Sequence, residues 1–179
     1  METFKKIEST NANLDALVKP FSDFDERWAL LTSGTGTERE NWNTMTVSWG
    51  SFGILWNKRI AICYVRPPRH THIFTEKNEL MSLSFFEQNE TSKAMLSFCG
   101  SKSGRDYDKA AETGLVPLVL DTGCIGFEQA QTILACKKLY TGQIQPDNFN
   151  AVSLIALNYP RRDFHTVYIC EIIAAYVRR

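Results

Sequence analysis

The chain has 179 residues, 44% of them hydrophobic and 12% aromatic, which suffices for one domain with a sizeable core. Twenty basic residues balance twenty acidic ones, so no overall field draws the molecule to nucleic acid or to an anionic membrane. The first residues, M-E-T-F-K-K-I-E-S-T, lack the apolar core of a secretory signal, and the apolar runs are too short or too interrupted to span a bilayer. Five widely spaced cysteines (Cys63, Cys99, Cys124, Cys136, Cys170) form no C-x-x-C. That pattern predicts neither a disulfide framework nor a zinc ribbon, but a reduced, cytoplasmic protein.

Residues 1–27 read as a lead-in whose first twenty residues are polar, loosely attached and closed by Pro20; residues 28–179 form the expected domain. Trp28–Ser33 is a short apolar strand ending in Gly34-Thr35-Gly36. This G-x-G is not a dinucleotide fingerprint, because Arg39 stands where the third glycine belongs and no amphipathic helix follows. Residues 43–53, N-T-M-T-V-S-W-G-S-F-G, alternate as a strand, with Met45, Val47 and Trp49 on one side and Thr44, Thr46 and Ser48 on the other. A half-buried strand has no need of three hydroxyls and two glycines, so something is expected to lie against this stretch. After turn residues Asn57-Lys58, Ile60–Val65 reads as a third strand.

Thr71–Lys77 is a short helix, Leu80–Phe86 a strand, and Thr91–Phe98 a helix with Ala94, Met95 and Phe98 on one face. Asp106–Thr113 is a polar helix stopped at Gly114. Val116–Asp121, Phe127–Tyr140 and Phe164–Val177 read as strands, and Asn148–Leu157 as a helix. Phe127–Tyr140 also tolerates a helix, but Thr132, Ile133 and the flanking Gly126 and Gly142 favour a long, bent strand. Short strands outnumber helices and no βαβ rhythm appears. The expected fold class is therefore mainly β, an antiparallel barrel with helical insertions.

Two further stretches carry chemistry. In R-P-P-R-H-T (66–71) the prolines stiffen the turn that presents Arg66 and Arg69, a pair suited to phosphate or carboxylate and equally compatible with two surface arginines. In C-G-S-K-S-G-R-D (99–106) glycines, serines and cations lead into the helix expected near Asp106, whose N-terminus favours an anion. A solvated Gly/Ser loop reads the same way, and the P-loop spacing is absent. Jointly with the hydroxyl-rich strand, these stretches describe a site for a flat ring bearing a phosphate. His70-x-His72 would put two rings on one side of a strand, but no carboxylate or thiol stands at ligand spacing, so no metal site is expected.

These stretches, with L-S-F-F (83–86) and N-Y-P-x-x-D-F-H (158–165), give the chain a resemblance to the flavin reductase-like, FMN-binding split-barrel family, of the flavoredoxin and ferric-reductase type. The match runs from about Trp28 to the C-terminus. It implies a split β-barrel of antiparallel Greek-key type, binding FMN at the interface of a homodimer. On that resemblance Asn43, Thr44, Met45 and Thr46 would run along the isoalloxazine and ribityl chain. Trp49 and Ser51 would sit by the ring, with Gly50 and Gly53 admitting the backbone closely. Arg66, Arg69, Thr71, Ser101, Lys102 and Ser103 would take the phosphate and ribityl hydroxyls, and Cys99 falls where it can touch the flavin. His165 matches a family histidine before the last strand; it reads as a catalytic or nicotinamide-side donor, or as a structural cap. Cys170 stands where the family usually has glycine.

The resemblance implies an enzyme in which NADH or NADPH reduces bound FMN and the electrons pass to free flavin or a ferric chelate. A flavoredoxin-like electron carrier reduced by a partner protein, and an FMN-binding protein without turnover, are the alternatives.

Overall fold

The structure, a computed structural model, describes residues 3–179. Ten strands and five α-helices follow in order: β1 (Phe4–Ile7), α1 (Asn11–Leu17), β2 (Ala29–Gly34), β3 (Trp42–Val47), β4 (Gly50–Leu55), β5 (Lys58–Val65), α2 (His70–Lys77), β6 (Leu80–Phe85), α3 (Glu90–Ser101), α4 (Lys109–Thr113), β7 (Pro117–Val119), β8 (Ile125–Phe127), β9 (Thr132–Gln143), α5 (Ser153–Asn158) and β10 (Thr166–Arg178). Strands β3-β2-β6-β9-β10-β5-β4 form one antiparallel sheet. Thirteen-residue β10 carries β5 along its first half and β1 along its second.

Two apolar clusters divide the core between the sheet's faces. On one face Leu31, Met45, Cys63, Val65, Met81, Tyr168 and Cys170 meet. On the other, Leu30, Trp42, Ile133 and Ala135 are covered by Met95, Leu96 and Cys99 of α3 and by Ile125 and Phe127 of the β7–β8 hairpin. Strand β2 is buried at every position because it packs on both faces, which explains its unbroken apolar start.

Several expectations change. The lead-in is not loosely attached, since β1 pairs with β10, and Phe4, Leu14 and Phe24 are buried. The stretch 43–53 is two strands, with the chain leaving the sheet at Ser48 and Trp49. Gly50 answers to a protein contact: a Cβ there would lie 2.3 Å from the Phe24 ring, whereas nothing crowds Gly53. The hairpin turn uses Trp56-Asn57 in left-handed backbone (φ 52° and 58°), and Lys58 already pairs in β5. Helix α3 runs on through Gly100 to Ser101, while α4 is only five residues long and begins at Lys109 rather than Asp106. Phe127–Tyr140 breaks into β8 and β9 around residues 128–131, and α5 occupies only the end of the expected 148–157 helix. No helix among the described residues is long and apolar enough to cross a membrane.

Candidate functional site

The R-P-P-R turn ends β5 and delivers the chain into α2. Arg69 takes extended backbone before the helix and no side chain caps the first turn; His72 N donates to Arg69 O, which leaves the His70 and Thr71 N–H groups beside a small cavity of about 180 Å3. The opposite wall is the end of α3 and the loop Lys102–Arg105. Arg69 is half-buried, and its guanidinium has no hydrogen bond or ion pair among the described residues; burial, then Arg66, lowers its pKa. His70 lines the same cavity with its Nδ1 buried and unpartnered.

Lys109 lies beneath this cradle, buried. Its Nζ donates to Thr44 O at 2.7 Å and to Cys99 O at 2.8 Å, and burial holds its pKa down to about 8, so it is charged at neutral pH. Cys99 O belongs to the negative C-terminal end of α3, which points into the cradle; the Lys109 ammonium offsets that end. Asn43 Nδ2 donates to Thr71 Oγ1 at 2.7 Å and ties β3 to α2. Gly104 is required by that pair, because a Cβ there would lie 2.1 Å from Asn43 Oδ1.

Away from the cradle the groove continues past Met45, Thr46, Arg66 and Arg69, then opens into a cleft of about 590 Å3. Arg69 lines both the cradle and the middle section, while Trp49, Tyr64 and His165 line both the middle and the cleft. The three spaces are thus one groove, cationic at one end and aromatic at the other. His165 sits among Trp49 (centroids 5.4 Å apart), Tyr159 (5.5 Å) and Tyr64 (6.3 Å). Its Nδ1 is 2.8 Å from Tyr159 Oη, and burial, then Arg66, lowers its pKa to about 4.

The structure gathers Met45, Thr46, Trp49, Arg69, Thr71, Ser101, Lys102, Ser103 and His165 along this groove. Arg66 lines it too, but its guanidinium is committed: Nη1 donates to Asp163 Oδ2 at 3.1 Å and Nη2 to Asn158 O at 2.7 Å. It pins the 158–165 loop that carries His165. Thr44 turns its hydroxyl inward, to Leu31 O at 3.1 Å and Thr32 Oγ1 at 2.9 Å, and reaches the cradle only through its carbonyl. Ser51 pairs with Ile62 in the β4–β5 ladder and lines none of these three spaces. The Cys99 thiol faces the core, fully buried, and burial raises its pKa to about 11. The helix N-terminus over the cradle is that of α2; the short α4 spends its own on Asp108, whose carboxylate accepts from Ala111 N. His70 and His72 lie on α2, not on a strand.

Lys109, Tyr64 and Tyr159 escape sequence reading as site residues, while Arg105 reads only as one of the donors of its loop. Lys109 sits in a polar run, D-K-A-A-E-T, with nothing local to mark it as buried. Tyr159 stands in the N-Y-P-x-x-D-F-H stretch, six residues before its histidine, at a spacing that suits no regular element.

No protein-family model matches the chain, and no curated protein matches it. Solved structures do. A flavoredoxin of Desulfovibrio vulgaris aligns at 17% identity over 91% of this chain and 73% of its own, with a TM-score of 0.65. An FMN-binding protein from Thermus thermophilus with bound p-hydroxybenzaldehyde aligns at 19% over 91% and 78%, TM-score 0.64. A Streptomyces globisporus NADH:FAD oxidoreductase in complex with NAD and FAD fragments aligns at 15% over 86% and 74%, TM-score 0.61. The chain has the flavin reductase-like, FMN-binding split-barrel fold. At these identities the likeness is one of fold.

Proposed function

We propose that the groove binds FMN and that the protein is an FMN-dependent NAD(P)H oxidoreductase, acting in the cytoplasm. The observation that carries this reading is the continuity of the groove: one end offers donors and cations, the other flat rings, with the length of β3 between. The donors suit a phosphate. Arg69 is unpaired, the first turn of α2 is uncapped, His70 Nδ1 lacks a partner, and Lys102 and Arg105 border the cavity. No dinucleotide fingerprint accompanies them, which favours FMN over FAD. Met45 and Thr46 would flank the ribityl chain, and Trp49, Tyr64 and His165 the ring.

When bound, FMN supplies hydride acceptance from a nicotinamide and onward transfer of electrons to an acceptor. The protein's own residues hold and screen. The Thr46 hydroxyl donates to Leu96 O at 2.5 Å and fixes β3 against α3 beside the groove. Arg66 fixes the loop bearing His165, and that imidazole is neutral at physiological pH. Trp49 is 49% exposed and Phe21, on the rim of the cleft, 89% exposed. A homodimer in which a second copy covers this rim is part of the proposal.

The absorption spectrum of the purified protein and chromatography of heat-released flavin test the cofactor; recovery of mostly FAD, or failure to take up added FMN, overturns it. Anaerobic mixing with NADH and with NADPH tests the reaction. Bleaching of the flavin band is expected. A band that persists with both donors favours an electron carrier reduced by a partner protein, a role compatible with the flavoredoxin-like fold. Light scattering of the flavin-loaded protein should give twice the chain mass.

A further inference from the structure

The contact between Tyr159 and His165 contains one shared proton whose location the surroundings decide. Tyr159 Oη and His165 Nδ1 are 2.8 Å apart, in a buried pair. Burial raises the Tyr159 pKa and, followed by Arg66, depresses that of His165, so the pair is neutral on both sides near pH 7. A phenol O–H is a stronger acid than an imidazole N–H, and a bare imidazole nitrogen a stronger base than a phenol oxygen, so the contact favours Tyr159 as donor and Nδ1 as acceptor. The imidazole's own proton then resides on Nε2. That nitrogen has no partner among the described residues, nor is it among the side-chain atoms buried without one. His165 lines the aromatic cleft, where a bare N–H donor is available to whatever enters.

The charged groups around the ring do not disturb this assignment. Arg66 lies 5.2 Å from the Tyr159 ring and is neutralised by Asp163, whose carboxyl its hydrogen bond holds low against the opposing effect of burial. Tyr64 meets His165 edge-on, and Trp49 covers it from β3's end. The described residues lining the cleft include Asp25 but neither lysine nor arginine. An anion entering there meets the Asp25 carboxylate, while the guanidiniums line the adjoining section, where Arg66 is already paired with Asp163; an uncharged ring escapes that cost.

We infer that Tyr159 is a positioning residue that holds His165 as the neutral Nε2–H tautomer, and that the cleft takes a flat, uncharged ring whose carbonyl or amide oxygen accepts from that N–H. The tautomer is a property of the chain alone. The ligand class rests on the proposed function, in which the cleft receives the reactant that meets the flavin.

Nitrogen-15 histidine labelling tests the first half, in protein with and without FMN, so that failure to bind flavin and failure of this pair are separate results. Long-range proton–nitrogen spectra resolve the three imidazoles, and His165→Gln assigns the signal. Between about pH 5.5 and 8.5 the parent should show His165 with Nε2 protonated, Nδ1 bare and no titration. A Nδ1–H form, or titration near the ordinary value of about 6.5, overturns the assignment. Tyr159→Phe should give a mixture of tautomers and an imidazole that titrates at higher pH than the parent's; an unchanged spectrum overturns the positioning role. If this variant does not fold, the parent spectrum still decides the tautomer. Benzamide and benzoate, alike in shape and different in charge, test the second half. Benzamide should shift the His165 Nε2–H signal, with benzoate about tenfold or more weaker. Equal effects, or no effect from benzamide, overturn the ligand class.

Discussion

The cationic and aromatic ends of the groove are built in opposite ways. The cradle comes from two short, nearly continuous stretches, 66–71 and 99–106, that the fold lays side by side. The aromatic cleft takes Phe24, Trp49, Tyr64, Ile144 and the pair Tyr159 and His165 from five separate stretches of the chain. A phosphate asks for several donors on a small sphere, which one turn and one loop supply. A flat ring asks for walls, and walls come from whole elements meeting in space. Chemistry of the first kind is written in neighbouring residues; chemistry of the second kind exists only after folding.

Lys109 crosses that division, since it belongs to the cradle yet is a product of folding. Lys109→Met should produce the largest change. It strands the carbonyls of Thr44 and Cys99 and removes the charge opposing the end of α3. A loss of roughly 2 to 4 kcal/mol in stability is expected by urea unfolding, the relief of a buried charge being smaller than the cost of stranded acceptors. FMN affinity should fall as well. A variant as stable as the parent would mean that the ammonium holds nothing together and that the cradle is local after all.

The same division decides what was legible in the sequence. Strands β2, β3, β5, β6 and β10, the barrel class, α2, α3 and the stop at Gly114 (φ 70°) follow from periodicity and turn chemistry. Arg66 and Arg69 look equivalent in R-P-P-R, yet only Arg69 is free, because the Asp163 that claims Arg66 lies 97 residues away. Thr44, Thr46 and Ser48 look equivalent as a hydroxyl face. β2 packs against β3 and takes the Thr44 hydroxyl, α3 takes the Thr46 hydroxyl, and the strand ends before Ser48. The lead-in reads as detached because Phe4 stands alone among polar residues and Leu14, Leu17 and Val18 make too short an apolar face to show an anchor; the pairing of β1 with β10 places the first, and packing of α1 on the core places the others.

Acid should expose the aromatic end. His165 titrates near 6.5 in the unfolded chain and near 4 in the folded one. Between these values the unfolded chain binds more protons. The contribution of His165 to stability is therefore complete above about pH 6.5 and is lost as pH falls toward 4, on the order of 3 kcal/mol in all. His165→Gln should flatten that part of the stability profile relative to the parent. Parallel profiles from pH 7 to about 4 would show that the imidazole is no more buried in the folded chain than in the unfolded one.

Arg66 and Arg69 separate under a phosphate-dependent readout. Arg69→Ala should weaken FMN by roughly 1.5 to 3 kcal/mol, about ten- to a hundredfold, and leave riboflavin affinity nearly unchanged. Arg66→Ala should instead lower stability by about 1 to 2 kcal/mol through release of Asn158 O and Asp163, with the ratio of FMN to riboflavin affinity kept. Titrations with the two flavins, paired with melts, measure both. An Arg66→Ala variant that loses the phosphate preference would return Arg66 to the cradle.

Lys102 should matter least. Its side chain is exposed and lies 5.5 Å over the Tyr107 ring, so its ammonium is hydrated and mobile beside a cavity that Arg69 and the α2 turn already serve. An exposed charge near a phosphate contributes through a screened field, under about 1 kcal/mol, which salt erodes further. Lys102→Ala should therefore lower FMN affinity by less than about fivefold at low salt, and the gap to the parent should close as ionic strength rises past about 0.3 M. Stability should not move, because no backbone acceptor depends on this side chain. A loss comparable to that of Arg69→Ala, persisting at high salt, would mean that Lys102 swings in and is desolvated against the phosphate. The cradle would then be assembled by its ligand, in the way that the aromatic end is assembled by the fold.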